Sequence, residues 1–361
     1  MIPGKIPALD GLRALSVLSI MFFHSNATWF PGGGIGVDVF FVLSGFLITG
    51  LLLDERRTHG RFRLGSFYVR RARRLLPALL VLLGFLLVWS FVGGLEHQQG
   101  SELRRGLLFT AGYAADIQVA YLGELPPFSL VAHMWSLAIE EQFYLVWPLL
   151  LAGLLALGAR VRRGLVLPLA VVLTAVVVVA LWRAHLWHGP ADVDRVYYGP
   201  DTHSDGLLVG CALALIASRV RLPRTPVPAL LGGAFLIGQI RWDSHLAGFS
   251  YEGGFLLTAL AAAAVVAGVV GAPHGRLAAA LGRRPLVAVG TISYGLYLWH
   301  WPVFIILNAG RVPLDWLPLQ ALRFVVTFAI AGASYFLLER PVLRRGRRGQ
   351  SSPVSGPVSS P

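Results

Sequence analysis

Residues 10–46 read DGLRALSVLSIMFFHSNATWFPGGGIGVDVFFVLSGF. Apolar side chains dominate the stretch, yet it carries Asp10, Arg13, His24 and Asp38. Charge at membrane depth is costly, so groups that persist there face a cavity or one another. Arg13 and His24 are eleven positions apart, close to three helical turns, so a helix sets them on one face about 16 Å apart. That face holds a permanent cation toward one end and a titratable imidazole toward the other. A plainer reading makes both of them helix-end residues that snorkel to the two interfaces. Asp38, in the same stretch, weighs against it, because intramembrane ionisable groups default to function.

Composition agrees with a membrane location. Of the 361 residues, 55% are hydrophobic and only 14% charged, which fits a polytopic membrane protein and not a soluble domain with a large core. The net charge of +13 is not a nucleic-acid signature, because the basic residues sit in short connectors between apolar runs, as the positive-inside rule requires. Cys211 is the single cysteine, so no intramolecular disulfide and no thiolate metal site is expected. Asp10 and Arg13 interrupt the first apolar run and no small-x-small cleavage site follows, so this run reads as a retained span and not a signal peptide.

Apolar runs of spanning length fall near 8–25, 35–53, 76–95, 135–158, 165–183, 204–218, 228–241, 254–271, 286–308 and 317–338. Three of them (204–218, 228–241 and 254–271) are short. A further run at 106–122 contains Asp116 and Gln118. The arginine-rich connector 54–75, the loops 160–163, 219–224 and 276–284, and Arg344–Arg348 all fall on one side only if 106–122 does not cross. The expected fold is therefore all-α: a polytopic transmembrane helix bundle of about ten spans with both termini cytoplasmic. Residues 1–341 form the membrane domain. Residues 342–361 form a basic, Ser/Pro-rich tail that reads as disordered. No internal repeat is visible.

Four further motifs carry chemistry. FYVRRARRLLP (67–77) packs Arg70, Arg71, Arg73 and Arg74 into five positions. Topology alone asks for some of these, but clustered guanidiniums also bind phosphate with bidentate forks. In HMWSLAIEEQFYLVWPLL (133–150), Glu140 and Glu141 open a span. They suit either the helix macrodipole or a cavity, which at most one of two neighbours would face squarely. In YYGPDTHSDGLLVGCALA (197–214), Asp201 and Asp205 share a face if helical, or form an outer turn and a cap. SYGLYLWHWP (293–302) sets His300 among aromatic rings, which an interfacial girdle explains while leaving the histidine unexplained. Glu339, in LLERP, reads as structural.

Together ALDGLRALSVLSIMFFH, GVDVFFVLSGFLI, FYVRRARRLLPAL, WSLAIEEQFYLVWP, DTHSDGLLVG and SYGLYLWHWP resemble, in order, the signatures of the acyltransferase 3 family of membrane proteins. The resemblance covers residues 7 to about 341. It implies ten spans, an acyl-CoA donor with acetyl-CoA first, no metal, and transfer of a short acyl group to a hydroxyl. The implied acceptor is a cell-envelope saccharide or a glycosylated small molecule. The implied location is the inner or plasma membrane, among its lipids. It makes His24 the essential histidine and assigns Arg13, Arg70, Arg71 and Arg73 to the donor. One departure stands out: His203 occupies a position where the family commonly has arginine. Many relatives also carry an extra C-terminal domain.

The sequence thus reads as an integral-membrane O-acyltransferase. His24 serves as general base, because a near-neutral imidazole can take a hydroxyl proton. Asp38 or Glu140 orients it, by the logic of the Ser-His-Asp arrangement. Glu141, Asp201, Asp205 and His300 are candidate acceptor contacts. Direct transfer is preferred to an acyl-enzyme on Ser44 or Ser136, since serines in apolar helices usually bond back to a carbonyl. The rival classes are a secondary transporter, whose midplane charges look alike, and a non-catalytic export partner.

Overall fold

The computed structural model describes residues 6–25, 28–123, 129–242 and 248–348. The described residues form helices and connectors, with no strand among them. In chain order the α-helices are α1 (Pro7–Ser25), α2 (Gly36–His59), α3 (Leu64–Val92), α4 (His97–Ala111), α5 (Ala115–Ala120) and α6 (Trp135–Arg160). There follow α7 (Val166–Leu186), α8 (Val193–Tyr198), α9 (Pro200–His203), α10 (Asp205–Ala217), α11 (Val227–Trp242) and α12 (Phe255–Gly271). The last are α13 (Arg276–Leu281), α14 (Arg284–Thr291), α15 (Ser293–Ile306), α16 (Trp316–Ser334) and α17 (Arg340–Arg348).

Six helical segments among the described residues are long and apolar enough to cross a membrane: Gly33–His59, Leu64–Val92, Ala132–Arg160, Val166–Leu186, Ser250–Gly271 and Trp316–Arg344. The sequence reading expects ten. Of the other four runs, 204–218 and 228–241 form the shorter apolar helices α10 and α11. The run 8–25 forms α1, and 286–308 is split between α14 and α15 at Ile292. The run 106–122 is also broken. Helix α4 stops at Ala111, Tyr113 takes a positive φ of 52°, and the short α5 follows. Its polar residues are buried: Gln142 donates to Asp116 Oδ1 at 2.9 Å and to the Tyr113 carbonyl at 2.8 Å. Of the tail, residues 342–348 continue α17, and 349–361 lie outside the described residues.

Helix α2 is the post around which the bundle stands. Its most apolar window is 83% buried, against 17–44% for the other five. The outer helices instead turn Leu80, Val88, Leu149, Val177, Leu181, Val325 and Leu337 outward, as helices solvated by lipid do. Helices α2 and α10 meet backbone to backbone. A Cβ on Gly45 would lie 1.9 Å from the Leu207 carbonyl oxygen, and one on Gly210 would lie 2.2 Å from that of Val42. Small residues permit such approach between membrane helices. Buried Thr49, on the same post, accepts from Trp147 Nε1 of α6 at 2.9 Å.

Gly45→Ala and Gly210→Ala should each push α2 and α10 apart, at a cost of about 1–3 kcal/mol. A thermal unfolding midpoint in detergent measures this. Gly153→Ala, where a Cβ meets nothing within 4 Å, should leave the midpoint unchanged.

Candidate active site

The α3 arginines face a pair of adjoining cavities. The first is lined by Arg13, Ser44, Arg70, Arg71, Arg73, Arg74, Tyr144 and Leu343. The second is narrower and reaches deeper, to Glu140, Glu141, Ser136, Ser293 and Tyr297. Arg13, Arg71, Arg74 and Tyr144 line both. The combined walls hold five arginines against two glutamates. Arg74 belongs to the arginine run but is not among the donor residues expected from the sequence, although its i,i+3 spacing from Arg71 puts the two on one face. Arg70 turns toward the end of α2 and pairs with Glu55 at 3.2 Å.

Helix α6 supplies the opposite wall. Glu140 Oε1 accepts from the hydroxyls of Ser44 and Tyr144. The Arg71 guanidinium lies 3.8 Å from the centre of the Tyr144 ring, a cation–π contact. Arg13 Nε donates to Ser293 Oγ at 3.3 Å. The break between α14 and α15 puts that serine at the start of a helix and at the cavity wall. Two cavity atoms, Arg71 Nε and Glu141 Oε1, are buried without a hydrogen-bond partner among the described residues. An orphaned guanidinium nitrogen beside further arginines fits a phosphate-bearing ligand. The described residues hold no His/Cys/Asp/Glu group that could bind a metal.

Beyond the deeper cavity lies a histidine cluster. His24 Nδ1 is 2.9 Å from His300 Nε2. His300 is fully buried, and its Nδ1 is 2.7 Å from the Tyr297 carbonyl oxygen. Trp301 packs edge-on to His24 and donates through Nε1 to the Ser129 carbonyl at 2.7 Å. Tyr297 joins the two regions. Its hydroxyl donates to the His133 carbonyl at 2.7 Å and lies 2.5 Å from Ser136 Oγ, while its ring lies 5.5 Å from that of His300.

Three expectations change here. Asp38 is bonded to His203 at 3.0 Å, both residues being buried, and is not the carboxylate that orients His24. Ser44 and Ser136 bond across to other side chains instead of back along their own helices. Asp201 and Asp205 do not share a face, because the chain leaves α9 at Ser204 before α10 begins. Asp205 is sealed in the core against Arg183 at 2.9 Å. Asp201 stands at the edge of the bundle, where Arg195 donates to both its oxygens and Tyr121 and Trp182 also donate to it.

His203 explains how this chain does without the usual arginine. Its Nδ1 lies 2.6 Å from the Tyr197 carbonyl oxygen and its Nε2 lies 3.0 Å from Asp38. Both ring nitrogens thus face oxygen atoms, as two guanidinium nitrogens would. Arg183 was not singled out from the sequence. The guanidinium is fully buried, donates also to the Thr202 carbonyl at 2.7 Å, and lies 5.3 Å from the Phe255 ring centre. An arginine at the very end of the apolar run 165–183 was its only trace in the sequence.

The profile of the acyltransferase 3 family, described as an acyltransferase domain, matches residues 6–338. The chain belongs to this family. Among curated family relatives, a putative peptidoglycan O-acetyltransferase YrhL of Bacillus subtilis (strain 168) is 36% identical, over 97% of this chain and 56% of its own length. The peptidoglycan O-acetyltransferase OatA of Listeria monocytogenes is 35% identical, over 94% of this chain and 56% of its own. The O-acetyltransferase OatA of Staphylococcus aureus is 31% identical, over 95% and 58%. The chain therefore spans little more than half the length of these relatives. No solved structure matches it.

Arg183→Met should strand the Asp205 carboxylate in the core and cost about 3–5 kcal/mol. Adding Asp205→Leu should recover most of that loss. Thermal unfolding of the two single variants and the double variant measures the coupling.

Proposed function

We propose that the chain is an integral-membrane O-acyltransferase that moves an acetyl or other short acyl group from acyl-CoA to a hydroxyl of an envelope saccharide. The observation that carries this reading is the arginine-walled pair of cavities at the foot of α3, whose wall includes Tyr297, the ring neighbour of His300. Five arginines facing two glutamates favour a polyanionic ligand, and the CoA phosphates meet that need. Relatives named as peptidoglycan O-acetyltransferases support a saccharide acceptor.

The nucleotide end of the donor binds at Arg70, Arg71, Arg73 and Arg74 on the cytoplasmic side. Arg13, lower on the face that carries His24, offsets phosphate charge along the way. Arg13 and His24 lie about 16 Å apart along α1. An extended pantetheine arm of roughly 15–20 Å covers that gap and brings the thioester past Tyr297. His24 takes the acceptor's hydroxyl proton as the oxygen attacks the thioester carbonyl. The C–S bond then breaks, and the thiolate leaves with the proton from His24 as free CoA. Glu140 holds Tyr144 and Ser44 in place in the cavity, so its part lies with the donor. Glu141 faces the same cavity. In this reading both termini are cytoplasmic, and the acceptor waits on the other side of the membrane.

Acyl-CoA binding and thiol release by purified protein test this. Arg71→Ala and Arg74→Ala should each weaken acyl-CoA binding about tenfold or more. Lysine should rescue only in part, because it lacks the planar fork. His24→Ala should slow thiol release at least about 10²-fold with donor binding retained. Absence of acceptor-dependent thiol release from the wild-type protein would make the chain a transporter or an export partner instead.

A further inference from the structure

His24 and His300 are 276 positions apart in sequence, yet their rings are nearly coplanar, inclined by 11° with centroids 5.1 Å apart. The 2.9 Å contact between Nδ1 of His24 and Nε2 of His300 therefore lies close to the plane of both rings, where a nitrogen lone pair points. The far side of His300 fixes the direction of this bond. Its Nδ1 is 2.7 Å from the Tyr297 carbonyl oxygen and 3.2 Å from that of Leu296. A carbonyl only accepts, so Nδ1 of His300 carries the hydrogen. Neutral His300 then keeps its lone pair on Nε2, and His24 must donate to it from Nδ1. Neutral His24 in turn keeps its own lone pair on Nε2.

We infer that His300 is the positioning residue of the catalytic base: it selects the His24 tautomer whose Nε2 accepts the acceptor's proton. This rests on the acyltransferase reading and replaces the expectation that His300 contacts the acceptor. The role given to a carboxylate in the familiar triad falls to a neutral imidazole. When His24 takes a proton on Nε2, its Nδ1–H bond to His300 becomes charge-assisted. When the departing thiolate recovers that proton, the pair returns to its starting state with no net change. His300 is suited to the task because it is immobile. Both ends of its ring are engaged, and the rings of His133, Tyr297 and Phe304 pack around it within 6.0 Å. Asp38 is thereby released to pair with His203, and Glu140 to bond with Tyr144 and Ser44.

The test separates tautomer control from support of the fold. His300→Leu can neither accept from His24 nor donate to the Tyr297 carbonyl, and should lower kcat about 10²–10⁴-fold with the KM for acyl-CoA unchanged. His300→Asn offers a carbonyl to His24 and an amide to the Tyr297 carbonyl, and should recover most of the loss. Nitrogen NMR of the wild-type protein, ¹⁵N-labelled at histidine in bilayers, reads the tautomer without an activity assay. The His24 signals are those lost in His24→Asn, and should show a protonated Nδ1 and an unprotonated Nε2. A neutral His24 protonated on Nε2, a His300→Leu variant with wild-type kcat, or an asparagine variant as impaired as the leucine one would overturn the inference. Failure of the wild-type protein to transfer acyl groups would instead sink the function and leave the tautomer assignment to the NMR result.

Discussion

Burial of charge in a low-dielectric bundle governs this molecule. An ion taken out of water must be answered by an opposite charge or by hydrogen bonds, or the fold bears several kcal/mol of desolvation. The core obeys this rule: Asp205 meets Arg183, Asp38 meets His203, and Glu55 meets Arg70. Among the buried polar atoms without a hydrogen-bond partner in the described residues are Arg71 Nε and Glu141 Oε1, both on residues lining the arginine cavity. Those two atoms stand where a ligand can meet them.

The packing serves the same end. Close contact of α2 with α10 makes a rigid post, and that post carries Asp38, Ser44 and Glu55 at successive depths. The Asp38–His203 bond ties it to the DTHSDG segment, Ser44 ties it to Glu140 on α6, and Glu55 ties it to α3. Three polar levels on one buried helix thereby fix the walls around the cavity. The break at Ile292 completes the frame. It starts α15 afresh at Ser293, so that one helix presents Ser293 to Arg13 and His300 to His24.

Much of this was legible in the sequence. Hydropathy marked the helical membrane fold, and the eleven-residue spacing of Arg13 and His24 set both on one helix of the expected kind. The arginine run marked the foot of the cavity. What could not be read were partners across helices. Periodicity says which residues share a face, not which helix that face meets, so Asp38 was matched with His24 when its partner is His203. Periodicity also fails across a break: Asp201 and Asp205 could share a face only on one continuous helix, and α9 ends before α10 begins. Span counting by hydropathy met the same limit at Ile292, where the break inside 286–308 carries no strong composition signal. His203 was noticed as a departure from the family pattern, but its meaning needed the two oxygen atoms that its ring nitrogens face.

The central claim is that donor and acceptor are held at opposite ends of one polar path, with the arginine cavity at one end and the His24–His300 pair at the other. Proteoliposomes with the protein in one orientation, acyl-CoA enclosed on the side of the 54–75 connector and a saccharide acceptor only on the other, test it most directly. The account predicts acylated saccharide in the acceptor compartment and free CoA retained with the donor. Product formed only when both substrates share the donor compartment would contradict it.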